Sequence, residues 1–227
     1  MALIDLRREG AVFVLTMRSG ENRFNRSFLD ELNAALDEVE RSEGPAALVT
    51  TGEDKFYSNG LDLDWLMGEG APHFTGVVTD LIRLLGRLMG FPMATAAAMN
   101  GHTFAGGAML ALAHDYRVMR ADRGYFCLPE IDLRMPFAPG MMALIKERLA
   151  PPVLRDLLLS GKRLNAADSQ ALAIVDATAA VGDVLSAAIE RVAPLADKDR
   201  RTMGAIKRGM YHQAIQVMEK AEISGGR

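Results

Sequence analysis

Across the first half of the chain, short apolar runs alternate with segments whose apolar residues recur at helical spacing, and that alternation leaves few folds open. ALIDL (2–6), AVFVLTM (11–17), AALVTT (46–51) and ATAAAM (94–99) are each long enough for one strand and too short for a helix. Glu9-Gly10 separates the first two, which predicts a hairpin. Phe28, Leu32, Leu36 and Val39 lie on one stripe, with Asp30, Glu31, Asp37 and Glu38 off it, so 27–42 is expected as an amphipathic helix. Ser27 is its expected N-cap, with Asp30 three residues on. Val77, Leu81, Leu84, Leu85 and Leu88 mark a helix over 73–90, ended by Pro92. A short helix over 61–67 precedes it, after the turn-forming stretch GEDKFYSNG. The small residues of ATAAAM imply a strand packed closely on both faces. Beyond the Asn100-Gly101 turn a helix is expected over 108–114, then strands over 116–119 and 125–128. From 139 onward helices are expected over 139–150, 152–160, 166–174, 183–197 and 200–222. The pattern is α/β layering with a helical close, without internal repeat or linker.

A chain of 227 residues can bury one sizeable core. Hydrophobic residues at 49% and charged residues at 24% argue against disordered and coiled-coil classes. The net charge of −3, from 26 basic and 29 acidic residues, gives no electrostatic footprint for nucleic acid. A local cluster of cations can still hold one anionic small molecule. Cys127 stands alone, which excludes an internal disulfide and a multi-cysteine metal site. His73, His102, His114 and His212 form no HExxH-type pair, so no metal is expected, and His114-Asp115 reads as a structural helix end. MALIDLRREG lacks the apolar region of a signal peptide, and no apolar stretch reaches membrane-spanning length. EISGGR is not the Ser-Lys-Leu address. No membrane partner and a cytoplasmic location are expected.

Three chemical signatures are missing: a GxSxG elbow, a GxGxxG fingerprint and a GxxxxGK[ST] loop. Two glycine-bearing turns remain, Phe56-Tyr57-Ser58-Asn59-Gly60-Leu61-Asp62-Leu63 and Asn100-Gly101-His102-Thr103-Phe104-Ala105-Gly106-Gly107. Each follows a strand and opens a helix, where backbone N–H groups are left without partners. Side by side, two such turns supply two donors for one oxygen, an oxyanion hole in its simplest form. On spacing alone the reading that prevails is two ordinary glycine-containing strand-to-helix turns.

The segments KFYSNGLDL, MNGHTFAGGAMLALAHDYRVM and RGYFCLPEIDLRMP, in this order and spacing, resemble the enoyl-CoA hydratase/isomerase (crotonase) superfamily, from the hairpin to about residue 175. SNGLDL, NGH, HDY, RADRG and PEID resemble more narrowly the short, single-function Δ3,Δ2-enoyl-CoA isomerases of the peroxisomal plant type. The resemblance implies a spiral of ββα units, with the acyl-CoA site in residues 1–175 and a helical region for trimerisation in 176–227. It places one oxyanion N–H on Leu61 and the other on Gly106. The first glutamate of hydratases falls three residues after that glycine, where this chain has Met109. The glutamate that isomerases keep is Glu130. The Asp of dienoyl-CoA isomerases, eight residues further, is Ala138 here.

Hydration of a conjugated double bond uses two carboxylates, whereas moving a double bond needs one base. Met109 in place of an acid therefore tilts the reading toward a Δ3,Δ2-enoyl-CoA isomerase with Glu130 as the base. Its expected apolar neighbours, Phe126, Leu128, Ile131 and Met109, would raise its pKa. The alternatives are a hydratase or another crotonase-type acyl-CoA reaction, and a non-catalytic acyl-CoA-binding protein. No cofactor is implied, since coenzyme A is part of the substrate. Arg23 is expected against a CoA phosphate and Phe24 along the adenine or pantetheine channel. Ser58, Asn59, Gly60 and Gly107 are expected against the substrate, with Met109 and Phe137 lining an acyl tunnel. Met89, Met93, Met135, Met141 and Met142 are read as core. Asp62 is expected as a helix N-cap and Asp132 as the partner of a basic side chain. Lys207 and Lys220 lie where a tail cation would reach the nucleotide. Ile206, Met210, Ala214, Val217 and Met218 form an apolar face needing cover, and the family implies a homotrimer or dimer of trimers.

Overall fold

The structure, a computed structural model, describes residues 2–221; EISGGR, and with it position 222 of the expected last helix, lies outside the described residues. The hairpin forms as β1 (Ile4–Glu9) and β2 (Val12–Met17), antiparallel. After α1 (Arg26–Arg41) the chain makes three similar passes. β3 (Ala47–Gly52) and β4 (Phe56–Ser58) lead to α2 (Leu63–Leu66) and α3 (Phe74–Met89). β5 (Thr95–Met99) and β6 (His102–Phe104) lead to α4 (Gly106–Ala113). β7 (Tyr116–Arg120) and β8 (Phe126–Cys127) lead to α5 (Pro139–Arg148). There follow α6 (Pro151–Ser160), α7 (Ala166–Ala171), β9 (Ala177–Ala179), α8 (Val184–Val192), α9 (Arg200–Met210) and α10 (His212–Glu219).

Six strands form the main sheet in the order β1-β2-β3-β5-β7-β9, parallel throughout except at β1–β2. A small parallel sheet, β4-β6-β8, collects the second strand of each pass. This is the ββα spiral that the resemblance implies. β4 and β6 lie in stretches read as turns, because strands of three residues are too short to show a period of two. β9, in the gap between the helices expected over 166–174 and 183–197, is a strand not anticipated for the same reason. The last expected helix divides at Tyr211 into α9 and α10. The α1 cap is also two residues earlier than expected: Asn25, in extended conformation, accepts the Phe28 N–H, and Ser27 is already helical.

Both faces of the main sheet are covered, as the small-residue strand β5 requires. Val12, Ala47, Val49, Ala96, Ala98 and Val118 meet Val184, Ala188 and Val192 of α8 on one face. Leu15, Met17, Leu48, Ala97 and Met99 join the larger core with α1, α3 and α4 on the other. α10 packs Ala214, Ile215 and Met218 against α3 and α5, where Met218 approaches Gly86 and Gly140. The apolar tail face is therefore split: Ala214 and Met218 are buried within the chain, whereas Ile206, Met210 and Val217 stay exposed. Lys207 does not reach outward. Its ammonium is buried on Asp115 at 2.8 Å and on the Met93 carbonyl at 3.1 Å, which removes it as a nucleotide contact. Among the described residues no helix is long and apolar enough to cross a membrane.

Candidate active site

The two glycine turns meet at the start of α4. Gly60 has φ +82, and a Cβ there would stand 2.9 Å from the Gly106 nitrogen and 2.9 Å from the Ala105 Cβ. Only glycine permits both that backbone and that approach. A Cβ on Gly107 would overlap the Ser58 carbonyl. Ala105 caps α4 at φ 49, ψ −122, a strained conformation for a residue with a side chain, held by its N–H on the Cys127 carbonyl at 3.0 Å. Gly106 is the first residue of α4, so its N–H has no acceptor within the helix. Phe24 pairs with Leu61 in an isolated bridge that uses the Gly60 carbonyl and the Asp62 N–H, and leaves the Leu61 N–H without an acceptor among the described residues.

Both turns are braced from behind. The Tyr57 hydroxyl, one residue before Ser58, bonds to Thr50 Oγ1 at 2.7 Å, and Thr50 bonds to His114 Nε2 at 3.0 Å. His114 Nδ1 bonds to the Leu110 carbonyl of α4, and burial lowers the imidazole pKa to about 4. His114 is thus structural, as expected. It ties the far end of α4 to the strand that leads into the first turn.

In front of the turns lies a cavity of about 510 Å³. Leu61, Ala105, Gly106 and Met109 form one wall, Phe74, Val78 and Leu81 of α3 another, and the loop Leu133–Pro139 with Met141 the third. Glu130 projects from the turn after β8 and is, among the described residues, the single acidic residue lining it. It is 8% exposed, and its Oε2 has no hydrogen-bond partner among the described residues. Burial pushes its pKa up to about 7, against a hydrogen bond from its own backbone N–H. The apolar shell is not quite the expected one: Ile131 is 51% exposed, Met135, read from sequence as core, lines the cavity, and Met141 lines it from its place in the core. Phe74 and Val78 were not anticipated, and Leu81 was read only on the core stripe; the i, i+4, i+7 spacing of the three is the signal, since that row meets the core stripe at Leu81.

The structure thus brings Leu61, Gly106, Met109, Glu130, Phe137 and Asn59 to one cavity, and Asn59 is fixed there by Glu21 Oε2 at 2.7 Å. Five expected substrate contacts are elsewhere. Phe24 is wholly buried, edge-on to Phe28, and belongs to the core beneath the site. Ser58 is buried, donating to the Asn22 carbonyl and accepting the Gly60 N–H, so it holds the turn. Gly60 and Gly107 serve the close approach of the turns described above. Arg23 lines a separate depression of about 370 Å³ with Asp62 and Asp64, and its guanidinium is committed to Glu21 at 2.7 Å and Asp64 at 2.6 Å. Asp62 caps α2 on the Trp65 N–H, as expected, whereas Asp132 makes no ion pair among the described residues and rests against Gly161. A more open depression of about 700 Å³, lined in part by Lys55, Phe56 and Arg123 at the carboxyl ends of the main strands, contains neither Glu130 nor the two amides. Among the described residues no group of three His, Cys, Asp or Glu side chains could hold a metal.

Comparison with known proteins points the same way. The family described as enoyl-CoA hydratase/isomerase matches residues 7–224. Enoyl-CoA delta isomerase 3 of Arabidopsis thaliana is 34% identical over 224 residues, covering 94% of this chain and 94% of that protein. The peroxisomal enoyl-CoA delta isomerase 2 of the same plant is 35% identical over 184 residues, covering 77% of this chain and 76% of that protein. The crystal structure of human mitochondrial delta3-delta2-enoyl-CoA isomerase shares the fold, with a TM-score of 0.83 at 21% identity, over 96% of this chain and 93% of that one.

Proposed function

The chain belongs to the enoyl-CoA hydratase/isomerase family, and we propose that within it the protein is a Δ3,Δ2-enoyl-CoA isomerase with Glu130 as its single base. The observation that carries this reading is a lone buried carboxyl, with a pKa near 7, in an apolar cavity beside two free backbone amides. The Glu130 carboxylate takes a proton from C2 of a 3-enoyl thioester. The C–H electron pair enters the conjugated system, and the negative charge gathers on the thioester oxygen. The Leu61 and Gly106 N–H groups donate to that oxygen; one such donor typically contributes about 2.7–4 kcal/mol. The protonated Glu130 then delivers the proton to C4, the double bond settles between C2 and C3, and the carboxylate is restored. Only a proton moves, so the step calls for no cofactor.

Hydration needs a second acid–base group, and Met109, buried in the position three residues after Gly106, has no proton to exchange. Acyl-CoA is the substrate class in this reading. The exposed Ile206, Met210 and Val217 support self-assembly through α9 and α10 as a homotrimer or dimer of trimers. Within the proposed assembly region 176–227, β9 and α8 complete the main sheet of the site-bearing part. A cytoplasmic location belongs to the same reading, supported by a lone thiol, Cys127, that is buried on the Gly161 carbonyl.

The test is turnover. Purified protein mixed with a 3-enoyl-CoA should generate the ultraviolet absorbance of the conjugated 2-enoyl thioester. Absence of that signal, or rapid conversion of a 2-enoyl-CoA to its 3-hydroxy product, would overturn the assignment.

A further inference from the structure

The turn that carries Glu130 contains a strained residue that the proton transfer does not use. Arg134 stands at φ +57, a left-handed backbone that strains a residue with a side chain. The turn imposes it: the Asp132 and Leu133 N–H groups donate to the Pro129 carbonyl, Arg134 N–H to Ile131 and Met135 N–H to Glu130. Glycine takes that conformation without strain, so whatever is gained by an arginine here comes through its side chain.

Arg134 lines the cavity of Glu130, Leu61 and Gly106. The charged and amide side chains of the lining are Asn59, Glu130 and Arg134. Asn59 is already bonded to Glu21, and the upward pKa shift of Glu130 has burial as its cause, with no contribution from a cation. Arg23, Arg26, Arg87, Arg117 and Arg148 are each committed to carboxylates or carbonyls. Arg134, exposed at the rim, makes no ion pair or side-chain hydrogen bond among the described residues. An unpaired guanidinium beside an apolar cavity is a ready partner for an anion, which it meets through paired N–H donors.

We propose that Arg134 is a substrate-binding residue whose guanidinium, held at the cavity rim by a strained turn, pairs with an anionic group of the acyl-CoA. The inference rests on the isomerase reading of the same site. Two parts of such a substrate can carry the anion: the phosphates of the coenzyme, or a carboxylate on the acyl chain.

Three substrates separate these: a 3-enoyl-CoA, the same acyl group on pantetheine without the nucleotide phosphates, and a 3-enoyl-CoA whose chain ends in a carboxylate. Arg134→Gly removes the charge and relieves the strain, so the variant should unfold at or above the wild-type temperature. Its KM should rise about tenfold for the ester carrying the recognised anion, with kcat within about twofold, and Arg134→Lys should recover most of that rise. A rise for both CoA esters but not the pantetheine ester identifies the phosphates. A rise confined to the carboxylate-bearing ester identifies the acyl end. Equal KM in wild type and Arg134→Gly on all three esters, or an equal rise on all three, overturns the proposal. If the wild type turns over none of them, the isomerase reading fails. Calorimetric binding of CoA and of the carboxylate-bearing acyl-CoA to wild type and Arg134→Gly then decides the Arg134 question separately.

Discussion

The Phe24 ring lies directly under Gly106, where an added Cβ would stand 3.2 Å from two of its ring carbons. The backbone of Phe24 meanwhile grips the other turn, with its N–H on the Gly60 carbonyl at 2.7 Å and its carbonyl accepting the Asp62 N–H at 3.0 Å. One core residue therefore sets the spacing of the two amides that are to share a single oxygen.

Phe24→Leu should fold, since it keeps much of the apolar volume, yet leave a gap beneath Gly106. Loosening one oxyanion donor should lower kcat by at least about tenfold with little change in KM. Steady-state kinetics alongside thermal unfolding checks this. A folded variant with wild-type kcat would show that the ring does not position the amide.

Glu130→Gln keeps the shape and removes the base, so kcat should fall by about 10²–10⁴-fold while acyl-CoA binding persists. Calorimetry with a non-reacting acyl-CoA checks the second part. Substantial turnover by the variant would remove Glu130 from its assigned role.

The pKa of Glu130, raised from 4.5 to about 7, has opposite consequences for rate and stability. The base must be ionised, so kcat/KM should climb with pH through about 7 and level off above it. Between about 4.5 and 7 the folded protein holds a proton that the unfolded chain has released. The contribution to stability is therefore complete below about pH 4.5 and lost as pH rises through about 7. Glu130→Gln escapes the loss, so its advantage over wild type should grow from about pH 5 to pH 8, by up to about 3 kcal/mol. Parallel unfolding curves for the two proteins over that range would contradict the burial of an ionisable carboxyl.

Met109→Glu supplies a second carboxylate three residues after Gly106. It should acquire measurable hydration of a 2-enoyl-CoA, at a cost in stability of several kcal/mol for burying an acid at a site that is 1% exposed. Product analysis for the 3-hydroxy ester reads the first effect and the unfolding temperature the second. A folded variant with no hydration would mean that Met109 is not what withholds that reaction.

Lys207→Met should destabilise the protein by about 3–5 kcal/mol, because it strands the part-buried Asp115 carboxylate that Thr95 and Lys207 now share. KM for the acyl-CoA should not change. A selective rise in KM at unchanged stability would restore Lys207 as a nucleotide contact.

Composition and periodicity were enough for the α/β class, the hairpin, the helix stripes and the covered strand β5, because each is a repeating local pattern. The two glycine turns were visible as strand-to-helix breaks, and the resemblance directed attention to Leu61, Gly106, Met109 and Glu130. Local pattern could not tell Phe24 and Ser58 from cavity-lining residues, because a turn residue faces the core or the ligand according to what packs across it. Nor could it show that Arg23 is held by Glu21 and Asp64, from positions two residues before and 41 residues after it in sequence. The length and charge of the chain allow many chemistries. What singles out Glu130 is dehydration by walls from α3, α4 and the 133–141 segment, and that comes into being only when distant parts of the chain close around one carboxyl. The sequence alone determined which residue types were on hand. The tertiary structure decided which of them share a water-poor space, because desolvation and close approach belong to the packed chain and to no local stretch of it.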